Sequence, residues 1–342
     1  MSGELVVVTG GSGFIGSHCI VQLLAAGHRV RTTVRSLARA DEVRAMVAEG
    51  GADAAAVEFA EVDLLHDDGW REAFAGATYV LHVASPFPRH QPRDAAELIR
   101  PAREGAVRAV RAARDAGAKR LVLTSSFAAV GYSAVLDRPY TEDDWTDPDD
   151  EKLTPYVRSK AAAERAAWDA VEREAPDLEL AVVNPTAVAG PILGRDLSAS
   201  VDLMLTLLNG DAPAVPNAAS TFVDVRDVAA LHVAAMTHPD AAGERFLAAS
   251  GDPITYPALA ELFRERLGDA AKHVPTRRSP DWLVRALAPF NRDLRTLVPE
   301  LGRLRYVSHE KATRVLGWHP IPPDEAIIAM AESLMRFGLV RP

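Results

Sequence analysis

The sequence predicts an α/β protein: a doubly wound parallel sheet joined to a smaller, mainly helical C-terminal lobe. Three observations predict it. Short apolar runs alternate with helical stretches through the first half, the pattern of parallel strands wrapped by helices. A glycine-rich turn lies between the first run and the first helix. After Asn184 the punctuation changes, and Pro185, Pro191, Pro213 and Pro216 break the chain into short pieces unlike further wound sheet.

Leu5-Val6-Val7-Val8 is a β-branched run ending in glycines, as a buried central strand should be. From Phe14 to Ala26, Ile15, Cys19, Leu23 and Ile20, Leu24 recur at helical spacing, closed by Gly27. Strands follow at Arg29 to Val34, Val57 to Val62, Tyr79 to Ala84, Arg120 to Thr124 and Leu180 to Val183, with helices at Asp41 to Glu49 and Arg93 to Ala116. Thr154-Pro155 reads as an N-cap with proline at the first helical position, where a missing N–H costs nothing. Thr221 to Met236 reads as a strand and helix that return to the first domain. The expected division is therefore 1–184 for the sheet domain, revisited by about 220–250, with 185–219 and 251–342 forming the second lobe.

Composition narrows the function classes. The chain has 342 residues, a formal net charge of −9, 48% hydrophobic and 25% charged residues. That is a globular balance, and it lacks the clustered positive charge a nucleic-acid binder needs. One cysteine, Cys19, can form neither an internal disulfide nor a cysteine-based zinc site. Leu5 to Gly27 carries no charged residue, but its polar Thr-Gly-Gly-Ser-Gly stretch makes a membrane span a poor reading. The beginning of the sequence lacks signal-peptide features, so a cytoplasmic protein is expected. The histidines show no H-x-x-x-H spacing, and the acidic run from Glu142 to Glu151 has no calcium-loop pattern. No metal is expected, and that run is expected to be a solvated loop.

Gly10, Gly13 and Gly16 are spaced G-x-x-G-x-x-G, with Phe14 and Ile15 opening the helix. Backbone without Cβ atoms can approach a pyrophosphate, and a helix N-terminus supplies N–H groups and positive potential. The flanking strand and helix are the context that separates a dinucleotide site from a plain turn. At the end of the second strand an acidic residue would hold a ribose 2′-hydroxyl; Arg35 and Arg39 stand there instead. They favour NADP, because guanidinium groups can grip a 2′-phosphate. Asp63-Leu64 resembles an adenine-edge contact, and Val83-Ala84-Ser85 lies where the cofactor should cross the sheet. His82, just before it, is expected to be packed rather than catalytic.

Tyr156 and Lys160 lie four apart on one helix face. A phenol is a poor acid unless a neighbouring cation favours its anion, and a lysine one turn away supplies one. Thr124-Ser125-Ser126 places hydroxyls at the carboxyl end of a strand, where open α/β sheets bind ligands. Phe87, Phe127 and Met204 are candidate pocket-lining residues, each equally plausible as core.

Together Thr9 to Gly16, Ser126, Tyr156 and Lys160 resemble the extended short-chain dehydrogenase/reductase superfamily, the NAD-dependent epimerase/dehydratase fold. Segments 124–131, 184–191 and 222–229 are similar to its branch of dihydroflavonol 4-reductases, cinnamoyl-CoA reductases and microbial aldehyde and ketone reductases. The resemblance implies a Rossmann domain and NADPH-dependent reduction of a small carbonyl compound. It also implies Tyr156 as acid, Lys160 on the nicotinamide ribose and Ser126 on the carbonyl, with Thr124, Pro185 and Val188 along the cofactor. Some relatives carry an asparagine in the helix before the fifth strand, where this chain has Arg103-Glu104-Gly105. Two rival readings are an NAD-retaining nucleotide-sugar epimerase or dehydratase and a non-catalytic NADP-sensing protein. Either a monomer or a homodimer is compatible with the sequence.

Overall fold

The computed structural model describes residues 3–86, 94–195 and 199–342. The first half runs β1 (Leu5–Thr9), α1 (Phe14–Ala25), β2 (Arg29–Val34), α2 (Ala40–Glu49), β3 (Val57–Glu61), α3 (Trp70–Phe74), β4 (Tyr79–His82), α4 (Ala96–Asp115), β5 (Arg120–Thr124), α5 (Pro155–Glu174) and β6 (Glu179–Pro185). Then come β7 (Ala187–Ala189), α6 (Ala199–Leu208), β8 (Val215–Pro216), β9 (Ala219–Asp224), α7 (Val225–Thr237), β10 (Arg245–Ala248), β11 (Ser250–Thr255) and α8 (Tyr256–Leu267). The chain ends with β12 (Arg278–Ser279), α9 (Asp281–Leu287), α10 (Arg292–Leu297), α11 (Glu310–Leu316) and α12 (Pro323–Arg336).

Seven strands form one sheet in the order β10-β6-β5-β4-β1-β2-β3. All its pairings are parallel. This is the Rossmann-type α/β fold that the alternating pattern predicts. The period-two alternation of a strand sends neighbours to opposite faces. Thus Val6 and Val8 of β1 join one core with Cys19, Ile20 and Leu23 of α1, while Val7 joins the other with Ala109 and Val110 of α4. The α1 side also holds residues of α2 and α7; the opposite side holds α3, α4 and α5. Thr154 caps α5 as read, its side chain accepting a hydrogen bond from the Val157 amide.

Two differences from the sequence reading have physical causes. The strand around Thr221 does not rejoin the main sheet: β9 pairs with β7 and β11 in a separate three-stranded sheet. The strand that rejoins the main sheet is β10, beside β6. It is short, and its Arg-Phe-Leu-Ala sequence carries no β-branched signal. The core of the α1 face continues without a break into the C-terminal elements, through Phe222, Phe263, Ile327 and Leu334. Among the described residues, no helix is long and apolar enough to cross a membrane.

Candidate active site

The glycine turn closes on itself: the Gly13 amide donates to the Gly10 carbonyl at 3.0 Å. Gly10 has φ +73°, and a Cβ there would lie 2.9 Å from the Ala84 backbone. That close approach sets the turn directly against the Val83-Ala84-Ser85 segment, and Ala84 N donates to Thr9 Oγ1 at 3.1 Å. A Cβ on Gly16 would meet the Gly10 carbonyl oxygen at 2.3 Å, so this position also requires glycine. At Gly13 a Cβ would meet that same carbonyl at 3.2 Å and nothing else within 4 Å among the described residues. Helix α1 has neither a capping side chain nor an acidic residue in its first turn. Its N-terminal amides, those of Phe14, Ile15 and Gly16 included, form a donor set suited to an anion. The turn therefore fits a dinucleotide pyrophosphate.

Arg35 is exposed at the end of β2 and has no ion-pair partner among the described residues. The Arg39 guanidinium holds Glu42 in a fork, at 2.9 and 3.0 Å. Asp63 accepts from the Leu65 amide at 2.9 Å, and Leu64 packs over Gly105 of α4. Pro185 ends β6 and Val188 is buried in β7.

Across the sheet end, Ser126 follows β5 and its hydroxyl accepts from the Ala128 amide at 3.1 Å. Ser126 lies close enough to the Tyr156 phenol to favour its anion, so the loop after β5 and the first turn of α5 come together here. Burial holds that phenol above its ordinary range, and Ser126 opposes the shift. Desolvation is the largest influence on this phenol. Lys160 is itself buried, and its ammonium is pushed down to about 8 by desolvation, opposed by the charge of Glu164. Thr124 accepts its place differently. His232 Nδ1 lies 2.7 Å from the Val228 carbonyl, so that nitrogen carries the proton and Nε2 accepts from the Thr124 hydroxyl at 2.6 Å.

A cavity of about 20 Å³ lies behind the lysine, lined by His82, Gly105, Ser125, Lys160 and Glu164 among others. It has room for about one water molecule. Gly105 thus occupies the place near the lysine, while Glu104 pairs with Arg100 on the outside of α4. His82 is packed as expected, bonded to Thr9 at 2.8 Å and driven down to about 3 by burial. Cys19 is core, its thiol pushed up to about 12 by burial.

The pocket guesses fare otherwise. Phe127 is buried against Tyr132 and Tyr140, with ring centroids at 5.9 and 5.4 Å, and fills the space a Gly131 side chain would need. Met204 is fully buried in the main core. Both are buried in apolar clusters, Met204 on α6 and Phe127 in the turn after Ser126. Phe87 lies outside the described residues. Glu142 corrects the solvated-loop expectation: it is buried and accepts from the Leu247 amide at 2.9 Å. Among the described residues, no group of three or more His, Cys, Asp or Glu could hold a metal ion.

Sequence reasoning missed the polar residues behind the trio. Glu164, Asn184 and Arg245 are buried there, and Asn184 and Arg245 each donate to Glu164. Only Glu164 left a signal, one helical turn after Lys160. It also missed Tyr132, whose buried phenol is influenced by Tyr156, Tyr256 and Arg305.

A glycine turn at a strand–helix junction facing a Tyr/Lys helix defines a dinucleotide-fold protein of the epimerase and reductase kind. The model of the NAD dependent epimerase/dehydratase family matches residues 6–249, from β1 through β10, and the chain belongs to this family. Cinnamoyl-CoA reductase 1 of Petunia hybrida is 33% identical, with 96% of this chain and 98% of that protein aligned. Dihydroflavonol 4-reductase of Hordeum vulgare is 34% identical over 76% of this chain and 74% of its own length. The structure of Gre2 from Candida albicans in complex with NADPH superposes with a TM-score of 0.79 at 26% identity, covering 97% of this chain and 99% of that one. The reductase branch read from segments 124–131, 184–191 and 222–229 is the one these relatives represent.

Proposed function

We propose that this chain is an NADPH-dependent oxidoreductase that reduces the carbonyl of an aldehyde or ketone, with Tyr156 as general acid. The observation that carries the reading is that Ser126 and Tyr156 meet at the carboxyl end of the sheet, with Lys160 buried one turn further along α5. The NADPH relatives support the cofactor. Gly10, Gly13 and Gly16 with the first turn of α1 would hold its pyrophosphate, Arg35 the 2′-phosphate, and Val83 to Ser85, Pro185 and Val188 its path across the sheet. When bound, the dinucleotide supplies the hydride.

The chain's own residues supply the rest. Ser126 and Tyr156 converge as two hydroxyl groups on one acceptor oxygen, which fixes the carbonyl. A phenol is protonated at neutral pH, as a general acid must be. As carbon gains hydride, the phenolic proton passes to the carbonyl oxygen and an alcohol results. The phenolate left behind faces the Lys160 ammonium, one turn away. Residues 185–219 and 251–342 form the lobe that covers the substrate.

The decisive assay follows cofactor absorbance with NADPH beside NADH across aromatic aldehydes, α-diketones, β-ketoesters and dihydroflavonols. Oxidation of NADPH with at least one carbonyl compound is expected. Silence throughout, with NAD tightly retained by the purified protein, would move the assignment to sugar-nucleotide chemistry.

Two further outcomes are expected. Arg35→Gln removes charge-assisted bonds worth about 1.5–3 kcal/mol, so KM for NADPH rises roughly 10- to 100-fold while KM for NADH stays put. Equal change in both would remove Arg35 from the phosphate site. Lys160 acts as a cation, and its proton leaves near pH 8 rather than in the ordinary lysine range. Activity is therefore retained below that pH and lost as pH rises through it. A profile flat to pH 10 would contradict the role given to this lysine.

A further inference from the structure

Glu164 stands one turn beyond Lys160 on α5 and is fully buried. A carboxylate there has lost its water and keeps its charge only if protein donors replace it. Three donors do so: the Ser125 hydroxyl, Asn184 Nδ2 at 2.7 Å and Arg245 Nε at 2.6 Å. They arrive from the end of β5, from β6 and from β10, the three strands under this end of the site.

Each donor is tied onward. Ser125 immediately precedes Ser126. The Asn184 nitrogen that meets Glu164 also lies 3.2 Å from the Ser126 carbonyl oxygen; both contacts are acceptors, so the amide nitrogen must face them. Arg245 Nη1 donates to the carbonyls of Glu142 and Asp144 at 2.6 and 3.0 Å, and its guanidinium lies 3.6 Å over the Trp145 ring. Ser126 is carried by the loop after β5, while Tyr156 and Lys160 are carried by α5. Glu164 sits on the helix and is bonded to the loop.

We propose that Glu164 is a positioning residue, whose carboxylate locks the Ser126 loop against the Tyr156–Lys160 helix and places a negative charge beside the lysine ammonium. The proposal rests on the carbonyl-reductase reading of the trio. Apolar side chains of similar volume commonly replace buried ion pairs without loss of stability, so what the carboxylate adds here is register and charge. The groups facing Lys160 make Glu164 its sole anionic neighbour among the described residues lining the cavity. His82 comes from β4 and is kept neutral by burial, and α4 presents only Ala102, Gly105 and Ala106. Tyr156 lies a turn before on α5, and Arg245 lies beyond Glu164.

The test compares Glu164→Gln, Glu164→Asp, Ser125→Ala and Tyr156→Phe in full-length protein, reading kcat against pH, NADPH affinity and folded fraction by circular dichroism. Glu164→Gln should lower kcat roughly 10²-fold by misplacing the reacting groups. It should also move the basic limb about one unit to lower pH, because the anion that favours the ammonium is gone. Glu164→Asp should recover most of kcat and return the limb. If kcat falls only in proportion to folded fraction, with the limb unmoved, Glu164 is a packing residue and the proposal is overturned. Should Glu164→Gln fail to fold, Ser125→Ala decides, since it removes one donor and leaves every charge. A several-fold lower kcat with unchanged NADPH affinity supports the lock; wild-type kcat overturns it. Tyr156→Phe separates the two levels: wild-type turnover there defeats the reductase reading itself, whereas an inactive Tyr156→Phe beside a wild-type Glu164→Gln defeats only the positioning role.

Discussion

Tyr156→Phe should reduce carbonyl turnover by about 10²- to 10⁴-fold, the span typical of a lost general acid, while NADPH binds nearly as before. The substitution removes one oxygen and keeps the ring, so α5 retains its packing and its Thr154 cap. The Ser126 hydroxyl keeps its bond from the Ala128 amide, and the glycine turn that would receive the pyrophosphate lies on β1 and α1, away from the lost atom. Steady-state kcat and a fluorescence titration with NADPH measure the two quantities separately. Equal loss of both would mean that Tyr156 supports the fold of the site rather than the chemistry.

The second large effect concerns stability. Arg120 opens β5 with about 1% exposure, an unusual place for a guanidinium. It donates to the carbonyls of Ala235, Met236 and His238, at 2.8, 3.2 and 2.6 Å, where α7 ends. It also pairs with Glu179 on the neighbouring strand at 2.7 Å. A cation at a helix C-terminus meets the negative end of the helix dipole, and here it replaces the water that buried carbonyls would need. Arg120→Leu strands those carbonyls and should cost about 3–5 kcal/mol of unfolding free energy, since each buried acceptor left unsatisfied costs about 1–3 kcal/mol. The urea midpoint measures it. Because Arg120 and Thr124 stand at opposite ends of β5, kcat per folded molecule should not change. A midpoint equal to wild type would show that the three carbonyls find other donors.

The central strands of the first half were legible because a buried parallel strand must be apolar on both faces, as the β-branched run from Leu5 and the apolar run from Tyr79 are; the edge strand from Val57 was legible from its place in the alternation of short strands and helices. Helix α5 was legible from Thr154-Pro155, a signal that is local. The catalytic candidates were legible as a trio because Tyr156 and Lys160 share a helix face and Ser126 ends a strand. What stayed hidden depends on distance along the chain. Arg245 reaches Glu164 across 81 positions, and no periodicity announces a side chain that distant. Glu142 looked like one more surface acid until Leu247 was found to bond it. Phe127 and Met204 show the same limit from the other side, since an aromatic or a methionine near a site has no local mark distinguishing pocket wall from core.

The late arrival of β10 has a consequence for how the chain matures during synthesis. β6 ends at Pro185, but its outer neighbour begins at Arg245, so about a sixth of the protein's length must still be translated before the edge is covered. Throughout this interval β6 offers unpaired backbone groups to any other nascent strand. The opposite edge needs no such wait: β3 carries Glu58, which pairs with Arg29 and Arg31 of β2, and charge of this kind discourages edge-to-edge association. Aggregation during expression should therefore begin at β6, and chains released before residue 245 should be the ones that a ribosome-associated chaperone holds.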